Sequence, residues 1–193
     1  MVTGRNGSGK STLLRVLATA ARADRGTARV AGHDIRDARG EVRRRVALLG
    51  HDSGLYDGLS ARQNLDVAAG FLGPAAAARV GALLRDFGLA DRAGDPVSAF
   101  SAGMRKRLAL ARTLLKDAEV VLLDEPYGEL DPPGFRLLDA ALDALQARGA
   151  TVLLATHLLE HGRQGCDSAI VLEEGRLAWS GPARDLREPG AAP

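Results

Sequence analysis

The residues Gly4-Arg5-Asn6-Gly7-Ser8-Gly9-Lys10-Ser11 constrain this chain more than any other stretch, because they match the pattern G-x-x-x-x-G-K-[ST]. Glycines at that spacing let consecutive backbone N–H groups turn toward one point, where a Cβ would obstruct the loop. A helix beginning directly afterwards adds the positive end of its dipole, which favours an anion. The context fits on both sides. Met1-Val2-Thr3 is the stub of a strand, and from Ser11 the apolar residues Leu13, Leu14, Leu17, Ala18 and Ala21 follow a helical period. The expected ligand is ATP with Mg²⁺, held by the loop Gly4 to Thr12. Lys10 is expected to neutralise charge between the β- and γ-phosphates, and the Ser11 hydroxyl to ligate Mg²⁺.

Further along, short apolar runs alternate with helical patterns. Ala28–Val30 and Val46–Leu49 read as strands, and Gly50 to Ser60 as an exposed connecting loop. Val80, Leu83, Leu84 and Phe87 share one helix face that should end near Gly88. A helix from Ala102 carries Met104, Leu108, Ala111 and Leu115 on one side and Arg105, Lys106, Arg107 and Arg112 largely on the other. Val120-Val121-Leu122-Leu123 is apolar without alternation, as in a strand buried on both faces of a parallel sheet. Phe135, Leu138, Leu142 and Leu145 predict a helix closed by Gly149, and Thr151–Ala155 a second buried strand. Ser168–Leu172 and Leu177–Ser180 flank a hairpin turn. The expected fold is therefore α/β with a mainly parallel sheet. Its core takes about 1–56 and 105–193, with a mostly helical subdomain at about 57–104.

Composition excludes several classes. The chain has 193 residues, 46% hydrophobic, enough for a buried core in one unit. It shows neither an apolar run of about 18 residues nor a signal-peptide pattern, so a cytosolic location is expected. Its formal charge of +2 gives no footprint for nucleic acid, and none is expected as a partner. The densest basic run, Arg43-Arg44-Arg45, reads as a solvated face. The single cysteine, Cys166, cannot form an internal disulfide and reads as a small hydrophobe.

Asp124-Glu125, at the end of the Val120 strand, is the second chemical feature. Ligands of open parallel sheets sit beyond the carboxyl ends of the strands, and adjacent carboxylates there are costly without a cation or water to serve. Neighbouring strand side chains diverge, so the pair should divide its duties. Asp124 is expected to hold Mg²⁺ through water, and Glu125 to orient or deprotonate the water attacking the γ-phosphate. His157, just past the Thr151 strand, is a candidate γ-phosphate contact. His33 and His161 have no comparable argument.

Together these motifs resemble the nucleotide-binding domain of ATP-binding-cassette (ABC) proteins, over essentially the whole chain. The phosphate loop, Val120 to Glu125, Gly128-Glu129-Leu130-Asp131 and His157 occur in that family's order, and Phe100-Ser101-Ala102-Gly103-Met104 resembles its signature motif, usually LSGGQ. The resemblance implies a P-loop NTPase core with an inserted helical subdomain, and ATP hydrolysis at a head-to-tail interface with another ABC ATPase subunit, in a homodimer or pseudo-dimer. Ser101 and Gly103 of one subunit would face the γ-phosphate bound at the other, and Asp131 would lie at the interface. The helical subdomain would dock on an integral membrane permease, with the ATPase peripheral on the cytoplasmic face of the membrane. A non-transport ABC ATPase, or a binding module with little turnover, is the alternative.

Three departures narrow or complicate this resemblance. His51 stands where most members carry a glutamine that contacts Mg²⁺, and so is the third metal candidate beside Ser11 and Asp124. The signature reads Ser-Ala-Gly, with Met104 in the usual glutamine position. With Asn64-Leu65 and Asp124-Glu125-Pro126-Tyr127, these look like the haem-exporter ATPases of cytochrome c maturation, although drug- and polysaccharide-type exporters share most of them. Family members also carry strands and an adenine-stacking aromatic ahead of the phosphate loop. Here only Met1-Val2-Thr3 precede it, and the N-terminal strands are expected to be missing.

Overall fold

The computed structural model describes residues 1–159 and 165–186. In chain order, β1 (Val2–Thr3) leads through the glycine loop into α1 (Lys10–Leu17), and β2 (Arg29–Val30) pairs antiparallel with β3 (His33–Asp34). Next come α2 (Arg39–Arg45), β4 (Val46–Leu49), α3 (Ala61–Leu72), α4 (Pro74–Asp86) and α5 (Ala102–Leu115). The last part holds β5 (Val120–Asp124), α6 (Pro132–Ala147), β6 (Thr151–Ala155), β7 (Ser168–Glu173) and β8 (Arg176–Pro182). The main sheet has six strands in the order β4-β5-β6-β1-β7-β8, parallel throughout except for β8. This is the expected α/β arrangement. The hairpin turn Glu174-Gly175 has φ of 48° and 77°, the left-handed pair whose twist matches the strands it joins.

The unalternating run of β5 is apolar because both of its faces are covered. Leu122 packs with Val2, Leu14 and Ala155 on the α1 side, whereas Val121 and Leu123 join Leu108, Leu110 and Leu138 on the other. Leu14 is fully buried and pins α1 to the sheet, a burial of about 2 kcal/mol. α1 ends at Leu17, earlier than its apolar spacing predicts. Thr19 turns left-handed at φ 57°, and Arg39 and Arg43 of α2 both donate to its carbonyl, at 3.0 and 3.1 Å. Arg43 Nε also donates to the Thr19 hydroxyl at 2.9 Å. Cations at a helix C-terminus satisfy its last carbonyls and oppose its negative end. The run Arg43-Arg44-Arg45 is thus more than the solvated face expected: Arg43 caps α1, and Arg45 joins Glu41 to Glu119.

The helical layer is shaped by its caps. Ser60 Oγ accepts from Gln63 N–H at 3.1 Å while Gln63 Oε1 accepts from Ser60 N–H at 2.9 Å, a reciprocal capping box at the start of α3. Asn64 is buried, and its amide donates to the carbonyls of Tyr56 and Ser60, both at 3.0 Å, while accepting from Tyr56 N–H at 2.7 Å. It therefore ties the preceding loop to α3. α5 starts in this layer, packs on α3 and α4, and runs on to β4.

Candidate functional site

The parallel strands deliver their carboxyl ends to one edge of the sheet. Ala155 of β6 pairs with Val2 on one side and with Asp124 on the other. One strand therefore separates the phosphate loop from the acid pair, and that strand runs directly into Thr156 and His157. The loop after β4, which carries His51, leaves the same edge beside β5.

The phosphate loop is held from outside. Gly175 N–H of the β7–β8 turn donates to Ser8 O at 3.0 Å. At Gly4, φ is 143° and a Cβ would stand 2.2 Å from Leu172 O and 2.7 Å from Ser8 Oγ, so only glycine fits. Gly4→Ala is accordingly expected to lower stability in urea unfolding by about 3 kcal/mol or more. A loss below about 0.5 kcal/mol would show that the loop relaxes freely. α1 follows Gly9 at its N-cap, with no side-chain cap and no acidic residue in its first turn, so its leading N–H groups are left for an anion. Arg5, Asn6, Gly7, Ser11 and Thr12 are exposed around it, whereas Ser8 and Lys10 are buried. Lys10 Nζ folds back over the loop and donates to Gly4 O at 2.8 Å and Arg5 O at 3.3 Å. A phosphate entering the loop offers that ammonium a charged acceptor in place of two carbonyls.

The two acids sit in different environments. Asp124 is buried, and its Oδ1 has no hydrogen-bond partner. A buried carboxylate oxygen without a donor calls for a cation or a water. Glu125 turns out of the strand at φ 44°, its N–H donating to Ala155 O at 2.8 Å. Its half-exposed carboxylate meets His157, with Oε2 at 2.9 Å from Nδ1. Left-handed backbone at a non-glycine residue costs about 1–2 kcal/mol and persists where the surroundings enforce it; Glu129 repeats it at φ 67°. The oxygen donors here, Asp124 and the Ser11 hydroxyl, suit a hard cation such as Mg²⁺. Among the described residues no group of three or more His, Cys, Asp or Glu side chains is placed to hold a metal by itself.

The remaining sequence candidates have local roles of their own. Ser101 caps α5, its hydroxyl accepting from Met104 N–H at 3.2 Å, and the first turn of α5 carries no acid. Gly103 lies against the 128–131 loop: a Cβ there would stand 3.0 Å from Glu129 O. Asp131 caps α6 by accepting from Gly134 N–H at 2.9 Å. His51 is exposed and makes no hydrogen bond or ion pair with the described residues. Arg112 packs against the nearby Gly54, whose φ is 61°. His161 lies outside the described residues.

Two features were not read from the sequence. The Glu125–His157 pair joins residues 32 apart in the chain. Tyr127, just after the acid pair, is buried and donates to Asp139 of α6 at 2.6 Å. Burial first, and then the Asp139 hydrogen bond, push its phenol above the usual tyrosine range. A folded-state pKa raised above the unfolded one gives stability that is complete below about pH 10 and lost as pH rises further. Tyr127→Phe is expected to cost about 1 kcal/mol near neutral pH and to flatten that alkaline decline in urea unfolding. An unchanged alkaline slope would contradict this.

The comparisons with known proteins agree with this geometry. The family model described as "ABC transporter" matches residues 1–128. The daunorubicin resistance ATP-binding protein DrrA3 of Streptomyces coeruleorubidus is 42% identical over 96% of this chain and 60% of its own length. A Nod factor export ATP-binding protein I of Paraburkholderia xenovorans is 40% identical over 92% of the chain and, again, 60% of its own length. The chain thus spans less than two thirds of each of these relatives. Among solved structures, an ATP-binding subunit of an ABC transporter aligns over 96% of this chain and 79% of its own, at 30% identity and a TM-score of 0.86. Drug-resistance and Nod-factor names give the narrower haem-exporter comparison no support. Asn64, one of the residues behind it, has the structural duty of tying a loop to α3. With the phosphate loop, the acid pair and the sheet order in agreement, this chain belongs to the ABC transporter family, as its ATP-binding domain.

Proposed function

We propose that this chain is the ATPase subunit of an exporter and forms half of a composite site completed by a second ABC ATPase subunit. The observation that carries the reading is the division of labour at the sheet edge. An orphaned Asp124 oxygen and an oriented Glu125–His157 pair stand one strand from an uncapped, glycine-framed helix start. The loop Gly4-Arg5-Asn6-Gly7-Ser8-Gly9, with Ser11 and Thr12, cradles the phosphates, and Lys10 balances their charge. Ser11 and Asp124 would hold Mg²⁺, with His51 as the third residue on that side; the ion would neutralise charge on the β- and γ-oxygens. Glu125 takes a proton from water as the water oxygen bonds to the γ-phosphorus. The bond to the β,γ-bridging oxygen breaks, and ADP and phosphate leave. His157 orients Glu125 and reaches the γ-phosphate.

The N-terminus of α5 supports the role of the second subunit. Its first turn is free of acids, which leaves Ser101 and Gly103 suited to face the partner's γ-phosphate. Asp131, on the same side, would contact the partner. Among the described residues no helix is long and apolar enough to cross a membrane. Transport would call for a permease docked on the helical layer at the cytoplasmic face, and the cargo would be chosen there. If the site is composite, turnover per subunit rises with protein concentration until the dimer saturates. A rate per subunit independent of concentration, where sedimentation shows monomer, would overturn the composite site.

A further inference from the structure

The β7–β8 turn runs beside the phosphate loop and holds one of its peptide units. β1 pairs with β7 through Val2–Ile170 and Thr3–Val171. Past the ends of those pairs the contact goes on. Leu172 O fills the place of a Cβ at Gly4, Gly175 N–H donates to Ser8 O at 3.0 Å, and a Cβ on Gly9 would stand 3.6 Å from Gly175 Cα. Glu173 pairs with Arg176, so the turn has two residues, and the flanking pair carries its ladder. The hairpin itself does not call on the Gly175 N–H, which is spent on the phosphate loop instead.

A trans peptide unit is planar, so its C=O and its N–H point in opposite directions. In the unit between Ser8 and Gly9, the C=O is drawn out to the turn, and the Gly9 N–H consequently points away from it. Among the described residues that N–H has no acceptor. It stands directly ahead of the uncapped first turn of α1, in line with the other donors left for an anion. Ser8 is buried, so water has little access to replace Gly175 as the donor to its carbonyl. Without that bond the unit is free to rotate, and the Gly9 N–H loses its aim.

We propose that Gly175 is a positioning residue for phosphate binding: its N–H, by holding Ser8 O outward, aims the Gly9 N–H at a phosphate of ATP. The proposal rests on the ATPase reading above. It makes affinity for the phosphates depend on a turn that does not touch them.

The test removes that N–H and little else. Gly175→Pro would delete the donor but also break the left-handed turn, so an ester is used instead. Gly165-Cys166 is a ready junction for ligating a recombinant segment 1–165 to a synthetic segment 166–193, in which an ester oxygen replaces the Gly175 N–H. This chain is compared with an all-amide chain made the same way, and with Gly175→Asn and Lys10→Ala. The measurements are ATP titration, steady-state phosphate release, and thermal melting without nucleotide. The ester is expected to weaken ATP binding about tenfold and to raise KM in step, with kcat within about threefold. Gly175→Asn keeps the N–H, tolerates left-handed backbone and places its Cβ in open space, so it should hold affinity to within about threefold. Unchanged ATP affinity in the ester chain, even with a lowered melting temperature, overturns the proposal in favour of a purely structural bond. An equal loss in Gly175→Asn also overturns it, because turn shape rather than the donor would then be responsible. An ATP affinity that Lys10→Ala leaves unchanged overturns the phosphate-loop reading, and this proposal with it.

Discussion

Glu125→Gln is expected to bind ATP as tightly as the unsubstituted chain, within about threefold, while turnover falls by about 10²–10⁴, the range for loss of a general base. The geometry explains why the two effects separate. Glutamine has the same length, and its amide oxygen can accept from His157 Nδ1 as the carboxylate oxygen does at 2.9 Å. The backbone turn at φ 44°, secured by the N–H bond to Ala155 O, involves no side-chain charge. Only the capacity to take a proton is lost. With hydrolysis blocked, the ATP-bound dimer should accumulate. Equilibrium nucleotide binding, phosphate release and sedimentation with ATP measure the three parts separately. Unchanged phosphate release in a dimer-forming preparation would remove Glu125 from the role given to it.

Lys10→Ala should act on the opposite quantity. Its ammonium is buried at the start of α1 and already held within the loop, bonded to Gly4 O and Arg5 O. Binding exchanges those two carbonyl bonds for charged bonds to phosphate on an ammonium already in place, so its removal should cost about 2–4 kcal/mol. ATP affinity should therefore fall by roughly 30- to 1000-fold. Lys10→Arg should not restore it, because a planar guanidinium does not replace a compact ammonium in a loop closed over its own carbonyls. Fluorescence titration with a labelled ATP analogue reads the change. An affinity within about threefold of the original would mean that the loop's N–H groups alone carry binding.

What was legible in the sequence, and what was not, follows from how local each feature is. The phosphate loop, the β5 run and the α5 cap are written in neighbouring residues. The bounds Val46–Leu49, Thr151–Ala155 and the start of α5 at Ala102 coincide with the strands and helix observed. Apolar period overran the end of α1, because the signal that stops it lies in Arg39 and Arg43, some twenty residues on. The same distance hid the meaning of the basic run. Glu125 and His157 were each recognisable at strand ends, but their hydrogen bond exists only because β5 and β6 are adjacent. The haem-exporter comparison finds no support among the relatives, and Asn64, one of the residues behind it, is accounted for by its hydrogen bonds as a loop anchor.

If each ATP is hydrolysed by residues from two subunits, mixing two differently defective subunits should restore turnover. A Lys10→Ala subunit lacks a working phosphate loop but keeps Ser101 and Gly103; a Ser101→Arg subunit has the reverse defect. Alone, each is expected to be nearly inactive, because every site in its homodimer includes one damaged half. Mixed in equal amounts, half of the dimers pair the two kinds and hold one intact site each. ATPase activity should then return to about a quarter of the original rate. Steady-state phosphate release from the mixture, across protein concentrations, gives the answer. Recovery near that level supports a composite site. Activity that stays at the level of the separate variants, or a Ser101→Arg chain that is fully active alone, contradicts it.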